Sequence, residues 1–292
     1  MLLRLKVIGL LLPMLLLITE VHAHDERVKE SITTSYHQFQ TIENLIVIEA
    51  SLNGQKGHYI LDTGSSGLVL NTRQFPNESD RPQAILAASG ATIQASSSII
   101  KNFRLGHLNF DNLPVAHMPL NLIEERMGIE LHGLIGMDVL STTDIYIDYD
   151  AQWIILQDDA DIKESPDFEI PISQWENVPM IQVEWNDVHL NMALDIGATR
   201  TLIDQSIASK HQLKAVDYTY LQGGDQQVNK VDIVQVHDMQ IGDLLYNSEA
   251  LTVDLSDLSD DQMTIHGLIG NDFLKNRKVL ISMRSKVMKV WE

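Results

Sequence analysis

Two stretches of this 292-residue sequence share one pattern: Ile60-Leu61-Asp62-Thr63-Gly64-Ser65-Ser66-Gly67 and Ala193-Leu194-Asp195-Ile196-Gly197-Ala198-Thr199. In each stretch an aspartate follows two apolar residues, where a buried carboxylate is costly unless its position serves a purpose. The glycine two residues later allows a tight turn whose backbone amides can donate hydrogen bonds to the carboxylate. The pattern indicates two functional aspartates, Asp62 and Asp195.

The chain around these stretches repeats itself at an offset of 133 to 136 residues. The block His132–Gly136 recurs unchanged as His266–Gly270, and Leu105–Leu108 matches Ile241–Leu244 in its apolar-Gly-x-Leu order. Two copies of this length predict two similar lobes related by a pseudo-two-fold axis. Equivalent aspartates close to such an axis would meet, and two carboxyl groups in contact share a proton, so that one serves as base and the other as acid.

The periodicity within each copy is typical of β-strands. Residues 45–61 predict a hairpin around the turn Asn53–Gly57, and residues 180–194 predict its counterpart around Asn186-Asp187. Alternating apolar residues from Ile145 to Tyr149 and from Val279 to Met283 predict one strand near the end of each copy.

Helical pattern is sparse in this sequence. The best candidates are Asp25–Gln40 and short segments that follow Gly136 and Gly270. We therefore predict a mainly β protein.

The first residues have the pattern of a signal peptide. Arg4 and Lys6 precede the apolar run Val7–Ile18, and Val21-His22-Ala23 supplies a cleavage site. The run is shorter than the roughly 20 residues that span a bilayer, although an uncleaved anchor is the alternative. We expect an exported protein, periplasmic or extracellular, without stable membrane insertion after cleavage before His24.

The rest of the chain divides around an acidic stretch, Gln157–Asp161, that leads to Pro166 and Pro171 and is typical of a solvated connection. The predicted organisation is a signal peptide at 1–23, a polar leader or tail at 24–40, an N-terminal lobe at 41–157, a linker at 158–173 and a C-terminal lobe at 174–292.

Composition excludes several classes of function. The 21 Lys and Arg residues stand against 40 Asp and Glu residues, a net charge of −19, and no basic face is available for nucleic acid. The absence of cysteine excludes disulfides, thiolate nucleophiles and iron–sulfur clusters. The eleven histidines are scattered without metal-ligand spacing, so no metal is predicted.

The sequence resembles the aspartic proteases of the pepsin and retropepsin clan in three features. These are Asp62-Thr63-Gly64-Ser65 after two apolar residues, the matching Asp-x-Gly at Asp195, and the Gly-Leu-Ile-Gly of each copy. The resemblance covers about residues 41–292 and implies a two-lobed pepsin-like or retropepsin-like fold with an internal pseudo-two-fold repeat. The chain looks like a fused retropepsin-like dimer, which implies a monomer with a polypeptide substrate and no cofactor.

The resemblance also implies roles for particular residues. Asp62 and Asp195 would be the catalytic pair that activates a water molecule. Two further groups would support them, the residues of the turns and the glycines beside the turns: Thr63, Gly64, Ser65, Ile196, Gly197 and Ala198, and Gly133, Gly136, Gly267 and Gly270.

One residue departs from the family's pattern. The residue after each aspartate is usually Thr or Ser, whose hydroxyl reaches the backbone of the opposite lobe. Thr63 can form this bond and Ile196 cannot. Ala198 fits the retropepsin pattern, and Ser65 is expected to donate to the outer oxygen of Asp62. The two aspartates are then unequal, and their roles are fixed rather than interchangeable.

Family members also close a hairpin flap over the substrate. The candidates here are the stretches 88–91 and 222–225, with Ser89 and Gly90 in the first and Gly223 and Gly224 in the second. Ordinary hairpin loops are the alternative.

The predicted function is an exported aspartic endopeptidase. The alternatives are a catalytically weak or inactive relative that binds peptides or partner proteins in the cleft, and a structural protein of the cell envelope. Serine hydrolase chemistry is disfavoured, because Gly64–Gly67 is one residue short of the Gly-x-Ser-x-Gly turn.

Overall fold

The computed structural model describes residues 9–10, 36–76, 82–86, 92–158, 162–222 and 228–292. Strands dominate these residues, which confirms the predicted mainly β class. The strands are β1 Gly9–Leu10, β2 Tyr36–Gln38, β3 Gln40–Ile42, β4 Leu45–Leu52, β5 Gln55–Leu61, β6 Val69–Asn71, β7 Pro82–Leu86, β8 Thr92–Ile100, β9 Phe103–Leu105, β10 Leu108–Phe110, β11 Leu113–Met118, β12 Gly133–Ile135, β13 Ile145–Asp148, β14 Trp153–Leu156, β15 Phe168–Trp175, β16 Val178–Trp185, β17 Val188–Leu194, β18 Leu202–Asp204, β19 Ala215–Gln222, β20 Val228–Ile241, β21 Leu244–Val253, β22 Gly267–Ile269, β23 Lys278–Ser282 and β24 Val287–Trp291.

The helices are short and few among the described residues. They are α1 Asn121–Met127, α2 Met137–Leu140, α3 Gln205–Lys210 and α4 Asn271–Leu274, with one 3₁₀ turn at Ser256–Leu258. Helices α2 and α4 begin directly after Gly136 and Gly270, as the sequence predicts.

The two sheets contain the same strand arrangement. One sheet has ten strands, in the order β10-β9-β4-β5-β12-β6-β11-β8-β7 with β3 beside β4. The other has fourteen, in the order β1-β19-β20-β21-β18-β22-β17-β16-β15-β24-β23-β13-β14-β2. The run β5-β12-β6-β11-β8-β7 of the first sheet is matched by β17-β22-β18-β21-β20-β19 of the second. The repeat in the sequence is therefore a repeat in topology.

Strands from both copies share one part of the larger sheet. Strand β13 of the first copy pairs antiparallel with β23 of the second, and Ile145 faces Ile281 while Ile147 faces Val279. These are the alternating strands that the sequence predicts near the end of each copy. Their pairing joins the two copies through a continuous backbone ladder.

The predicted hairpins are present, with tight turns. Strands β4 and β5 are joined at Asn53 and Gly54, both with positive φ, so the turn is shorter than the predicted Asn53–Gly57. Strands β16 and β17 are joined at Asn186 and Asp187, which also have positive φ. Two consecutive residues with positive φ match the twist of the flanking strands, which favours Asn, Asp and Gly at these positions.

Two predictions differ from the structure. The proposed helix Asp25–Gln40 is wrong over its described part, because Tyr36–Gln38 pairs with β14 and Gln40 begins β3. The predicted linker 158–173 includes the start of β15, whose residues Phe168 to Pro171 pair with β24. Ile170 and Ile172 of this strand are buried and the residues between and beside them are exposed, a short alternation that was not predicted next to the acidic stretch.

A central core fills the space between the two copies. Leu61 and Ile135 from the first copy belong to the same buried cluster as Leu194 and Ile269 from the second. Each copy has a further cluster of its own, around Leu134 in the first and Leu268 in the second. Successive residues of β12 and β22 thus serve two different cores, and this double anchorage fixes the strands beside the Asp turns.

Candidate active site

The backbone of each aspartate is held by the Gly-Leu-Ile strand of its own copy. Strand β5 ends at Leu61, and the amide of Asp62 then donates to the carbonyl of Ile135 at 3.0 Å. Strand β17 ends at Leu194, and the amide of Asp195 donates to the carbonyl of Ile269 at 2.9 Å. Both carboxyl groups start from equivalent backbone positions.

The two carboxylates receive amide hydrogen bonds, but unequally. Oδ1 of Asp62 accepts from the amide of Ser65 at 3.0 Å. Oδ1 of Asp195 accepts from the amide of Gly197 at 2.7 Å and, across the copies, from the amide of Gly64 at 3.2 Å. Each amide favours the ionised carboxylate. The donor set around Asp195 therefore favours the ionised form of that residue more strongly.

Glycine is required where the two turns cross. A Cβ atom on Gly64 would lie 2.6 Å from Cγ of Asp195, and one on Gly197 would lie 2.5 Å from Cγ of Asp62. No side chain fits into such distances. Each turn thus presses against the carboxyl group of the other copy, and the two aspartates form one site.

Burial and mutual contact set the ionisation of this pair. Both residues are fully buried. Burial raises the pKa of Asp62 well above its usual range, and the neighbouring Asp195 carboxylate raises it further. Burial also raises the pKa of Asp195, to about 6, while the amides of Gly197 and Gly64 oppose the rise. The two amide donors to Asp195 favour Asp62 as the member of the pair that holds the shared proton.

One oxygen of each carboxyl group is buried without a donor in the part of the chain that the structure describes. Oδ2 of Asp62 and Oδ2 of Asp195 are buried, and neither accepts a hydrogen bond from a donor group of the described residues. The two side chains are close enough to hydrogen-bond to each other when one is protonated.

A comparison with protein-family models identifies the family of this chain. A family model described as aspartyl protease matches residues 48–139 and again residues 181–273, together more than half of the chain. The chain belongs to the aspartyl protease family. Each match contains one of the two Asp turns and the Gly-Leu-Ile-Gly block of the same copy, as the resemblance of the sequence predicts.

A structural comparison agrees with the family on the fold. The aspartic proteinase from Irpex lacteus aligns with a TM-score of 0.52, over 89% of this chain and 97% of that protein, at 11% sequence identity. The predicted two-lobed pepsin-like fold is confirmed by this likeness. No curated protein matches the sequence.

The aspartyl protease turns are locked together by one hydroxyl group. Oγ1 of Thr63 donates to the carbonyl of Leu194 at 2.7 Å and accepts from the amide of Ile196 at 3.0 Å. The buried side chain of Ile196 belongs to the central core instead. The expected bond of Thr63 is present, and Ile196 contributes only its backbone amide to the bonds between the turns.

One expectation for the first turn is wrong. The hydroxyl of Ser65 donates to the carbonyl of Gly67 at 2.8 Å, and only the amide of Ser65 reaches Asp62. The turn brings the Gly67 carbonyl within reach of the hydroxyl two residues earlier, and such local bonds compete effectively for serine side chains.

The four structural glycines lie where predicted, beside the turns. A Cβ atom on Gly136 would lie 2.3 Å from the carbonyl oxygen of Gly67, and one on Gly270 would lie 2.9 Å from that of Ala198. A Cβ atom on Gly133 would likewise lie 2.1 Å from a neighbouring carbonyl oxygen, and one on Gly267 would lie 2.3 Å from another. Close backbone approach is the reason for glycine at all four positions.

The tips of the two candidate flaps lie outside the described residues, and with them Ser89, Gly90, Gly223 and Gly224. The strands that lead to these tips are described, and β7 pairs antiparallel with β8 as β19 does with β20. Both candidates therefore belong to hairpins, and their role as flaps stays a prediction.

Two searches concern other kinds of site. Within the described ranges, no group of three or more His, Asp or Glu side chains could hold a metal ion. No helix in the same part of the chain is long and apolar enough to cross a membrane.

Sequence reasoning missed Asn271, which contacts the second turn, and Tyr149, which bonds Asn271. The side-chain amide of Asn271 donates to the carbonyl of Ile196 at 2.5 Å, and its oxygen accepts from the hydroxyl of Tyr149 at 2.7 Å. The signal in the sequence was a break in the repeat, because Met137 stands at the position of Asn271 in the otherwise matching first copy.

Proposed function

We propose that the protein is an exported aspartic endopeptidase, which hydrolyses peptide bonds with a water molecule activated between Asp62 and Asp195. The observation that carries the proposal is the crossed packing of the turns, with Gly64 against Asp195 and Gly197 against Asp62. This packing brings two buried carboxyl groups from equivalent positions into one site. Membership of the aspartyl protease family supports the same chemistry.

The unequal environments assign the roles in this proposal. Asp195 is the base, because two amides stabilise its ionised form. Asp62 is the acid, because its pKa is raised by burial and by the Asp195 carboxylate. General acid and base groups with pKa values moved apart are the usual means of running both steps in one site.

The reaction then needs no covalent intermediate. Asp195 removes a proton from water, the resulting oxygen attacks the carbonyl carbon of the substrate, and Asp62 gives its proton to the carbonyl oxygen. The tetrahedral intermediate collapses when the peptide nitrogen is protonated by the carboxyl group of Asp195, which breaks the carbon–nitrogen bond. Asp62 recovers its proton as the new carboxyl group forms.

Cleavage of a mixed peptide library by the purified chain between about pH 3 and 7 tests the proposal. We expect Asp62→Asn and Asp195→Asn each to lower the cleavage rate by about 10²- to 10⁴-fold, because each removes one proton-transfer group. Asp187→Asn is the matched control, since Asp187 is exposed in a hairpin turn whose positive φ suits asparagine. Equal activity in all three variants contradicts the proposed dyad.

A second candidate function is a peptide-binding relative with weak or no catalysis. Its supporting observation is Ile196, which leaves the second turn without the usual hydroxyl. This candidate predicts that the folded wild type retains library peptides on an affinity column at every pH and releases them uncut. Peptide cleavage that depends on both aspartates excludes it.

Export is proposed from the N-terminal sequence alone. The test is the N-terminal sequence of the mature protein recovered from the periplasm or medium of an expressing bacterium. We expect it to begin at His24. Recovery of the intact chain in the cytosolic fraction alone contradicts export.

A further inference from the structure

The two copies hold their Asp turns with the same backbone bonds but different side chains. The amide of Met137 donates to the carbonyl of Ser65 at 2.8 Å, and the amide of Asn271 donates to the carbonyl of Ala198 at the same distance. A methionine side chain offers no hydrogen-bond donor, whereas asparagine offers two. The side chain of Asn271 is fully buried and is used.

A directed series of hydrogen bonds runs from Tyr149 to Asp195. The hydroxyl of Tyr149 donates to Oδ1 of Asn271 at 2.7 Å, and Nδ2 of Asn271 donates to the carbonyl of Ile196 at 2.5 Å. The amide of Gly197 donates to Oδ1 of Asp195 at 2.7 Å. Because a carbonyl can only accept, the amide orientation of Asn271 follows from its partner.

The last two bonds act on a single peptide group. The carbonyl of Ile196 and the amide of Gly197 belong to one planar unit, and they point in opposite directions. Asn271 therefore holds one end of the unit while Asp195 accepts from the other end. A donor at the carbonyl both fixes the plane and polarises the amide, which strengthens its bond to the carboxylate.

We propose that Tyr149 and Asn271 are positioning residues that act through the Ile196–Gly197 peptide group to keep Asp195 ionised and aligned as the base. The inference rests on the proposed protease function for its kinetic consequence, but its effect on Asp195 can be measured without activity. The first copy has no equivalent, since Met137 stands in place of Asn271.

Tyr149 is well placed for this role. It comes from the first copy, so its bond to Asn271 joins the two copies beside the site. Its ring packs edge-on against Phe39, with ring centroids 6.2 Å apart, and it is 9% exposed. Burial raises its pKa, which keeps the phenol protonated as a donor. The bond therefore persists over the working pH range of the carboxyl pair.

The test compares Tyr149→Phe with Tyr59→Phe in the full chain. Tyr59 is a matched control, because it is also buried and its hydroxyl has no hydrogen-bond partner among the described residues. The first readout is the carboxyl carbon resonance of Asp195, followed against pH by NMR and assigned with Asp195→Asn. We expect Tyr149→Phe to raise the apparent pKa of Asp195 by about half a unit, because the Ile196–Gly197 peptide group is then less well held and less polarised towards the carboxylate. Tyr59→Phe should leave it unchanged.

The second readout is kinetic and uses the library peptide that the wild type cleaves fastest. Tyr149→Phe should lower kcat by about 3- to 10-fold and leave KM unchanged within about twofold. It should also move the acid limb of the pH–rate profile to higher pH. Asn271→Met, which copies the first repeat, should produce both effects more strongly.

The outcomes separate this inference from the proposed function. A wild type that cleaves nothing overturns the protease proposal, but a shifted titration of Asp195 in folded Tyr149→Phe still supports the positioning role of Tyr149 and Asn271. An unchanged titration of Asp195 in folded Tyr149→Phe and Asn271→Met overturns that positioning role, whatever the activity.

Discussion

The first Asp turn supplies a hydroxyl that bonds the backbone of the second copy, whereas the second Asp turn has no hydroxyl at the equivalent position. Thr63 spans the turns from the first copy with two bonds, to Leu194 and Ile196. The second turn has an apolar Ile196 in the same place, and the carbonyl of Ile196 also accepts from the side-chain amide of Asn271. The second turn is therefore held by side chains from both copies.

The difference between the two Asp turns shows which features of the repeat the backbone geometry requires and which side chains can vary. The glycines and the Gly-Leu-Ile strands recur because close backbone approach permits nothing else. The side chains around the turns vary, and their variation makes the two carboxyl groups unequal. A single chain can differentiate its two halves in this way, whereas a dimer of identical subunits cannot.

The largest effect is expected where the copies are most alike. Gly64→Ala and Gly197→Ala each place a methyl group within 2.6 Å of the opposite carboxyl group. We expect each to lower peptide cleavage by about 100-fold or more, because a displacement of the reacting groups by about 1 Å has that cost. Thermal unfolding of both variants is measured alongside, with about 1–3 kcal/mol of destabilisation expected from overpacking. Full activity in either variant would contradict the crossed geometry.

The buried carboxyl pair should also govern stability against pH. Because the pKa of Asp195 is raised to about 6 in the folded protein, the folded state holds a proton that the unfolded chain releases near pH 4. The contribution of this carboxyl group to stability is therefore fully present below about pH 4 and is lost as the pH rises through about 6. Asp195→Asn should raise the free energy of unfolding at pH 7 by about 1–3 kcal/mol and change it little at pH 4.

Chemical denaturation at the two pH values measures this effect, with Asp187→Asn as the exposed control. A loss of stability in Asp195→Asn at pH 7 would show that the pair does not carry the expected cost of burial.

The hydroxyl of Thr63 provides a direct test of the asymmetry between the turns. Thr63→Val leaves the carbonyl of Leu194 and the amide of Ile196 without their partner, so we expect about 1–2 kcal/mol of destabilisation. Thr63→Ser retains the hydroxyl and should recover most of the loss. Equal stabilities of the Val and Ser variants in urea unfolding would show that the bonds contribute nothing.

The smallest effect concerns a second pair of equivalent carboxyl groups. Burial raises the pKa of Asp138 to about 7, and its Oδ1 has no partner among the described residues. Burial also raises the pKa of Asp272, but its carboxyl group accepts from the hydroxyls of Thr201 and Tyr246, which oppose the rise. At pH 8, Asp138→Asn should therefore be neutral or stabilising by up to about 1 kcal/mol, and Asp272→Asn should be destabilising by about 1 kcal/mol.

The advantage of Asp138→Asn should vanish at pH 5, where the wild-type carboxyl group is already protonated. Equal unfolding midpoints for the two variants at pH 8 would show that the hydroxyl partners of Asp272 are unimportant.

The sequence predicted what depends on the backbone. The repeated glycines, the hairpin turns and the strands around Ile145 and Val279 follow from local rules of spacing and turn chemistry, and the structure contains them. The meeting of Asp62 and Asp195 followed from the repeat, since equivalent residues near a two-fold axis come together.

The sequence did not predict contacts that depend on the packing of one copy against the other. Tyr149 and Asn271 are 122 residues apart, and no local pattern indicates that their side chains meet. The hydroxyl of Ser65 could donate either to Asp62 or to the carbonyl of Gly67, and only the geometry of the folded turn decides for Gly67. The strand that begins at Phe168 was not predicted, because the acidic composition of the residues before it indicated a linker and the alternation of buried residues in the strand is short.

The titration of Asp62 and Asp195 in the wild-type protein tests most directly the central claim, that the two carboxyl groups of this site are unequal. Carboxyl carbon resonances of both residues, followed by NMR from acidic to neutral pH, report the order in which the protons leave. We predict two separate steps that are coupled to each other, with Asp195 losing its proton first and Asp62 retaining its proton to higher pH. Two independent titrations near the ordinary aspartate value, or loss of the first proton from Asp62, would contradict this description of the site.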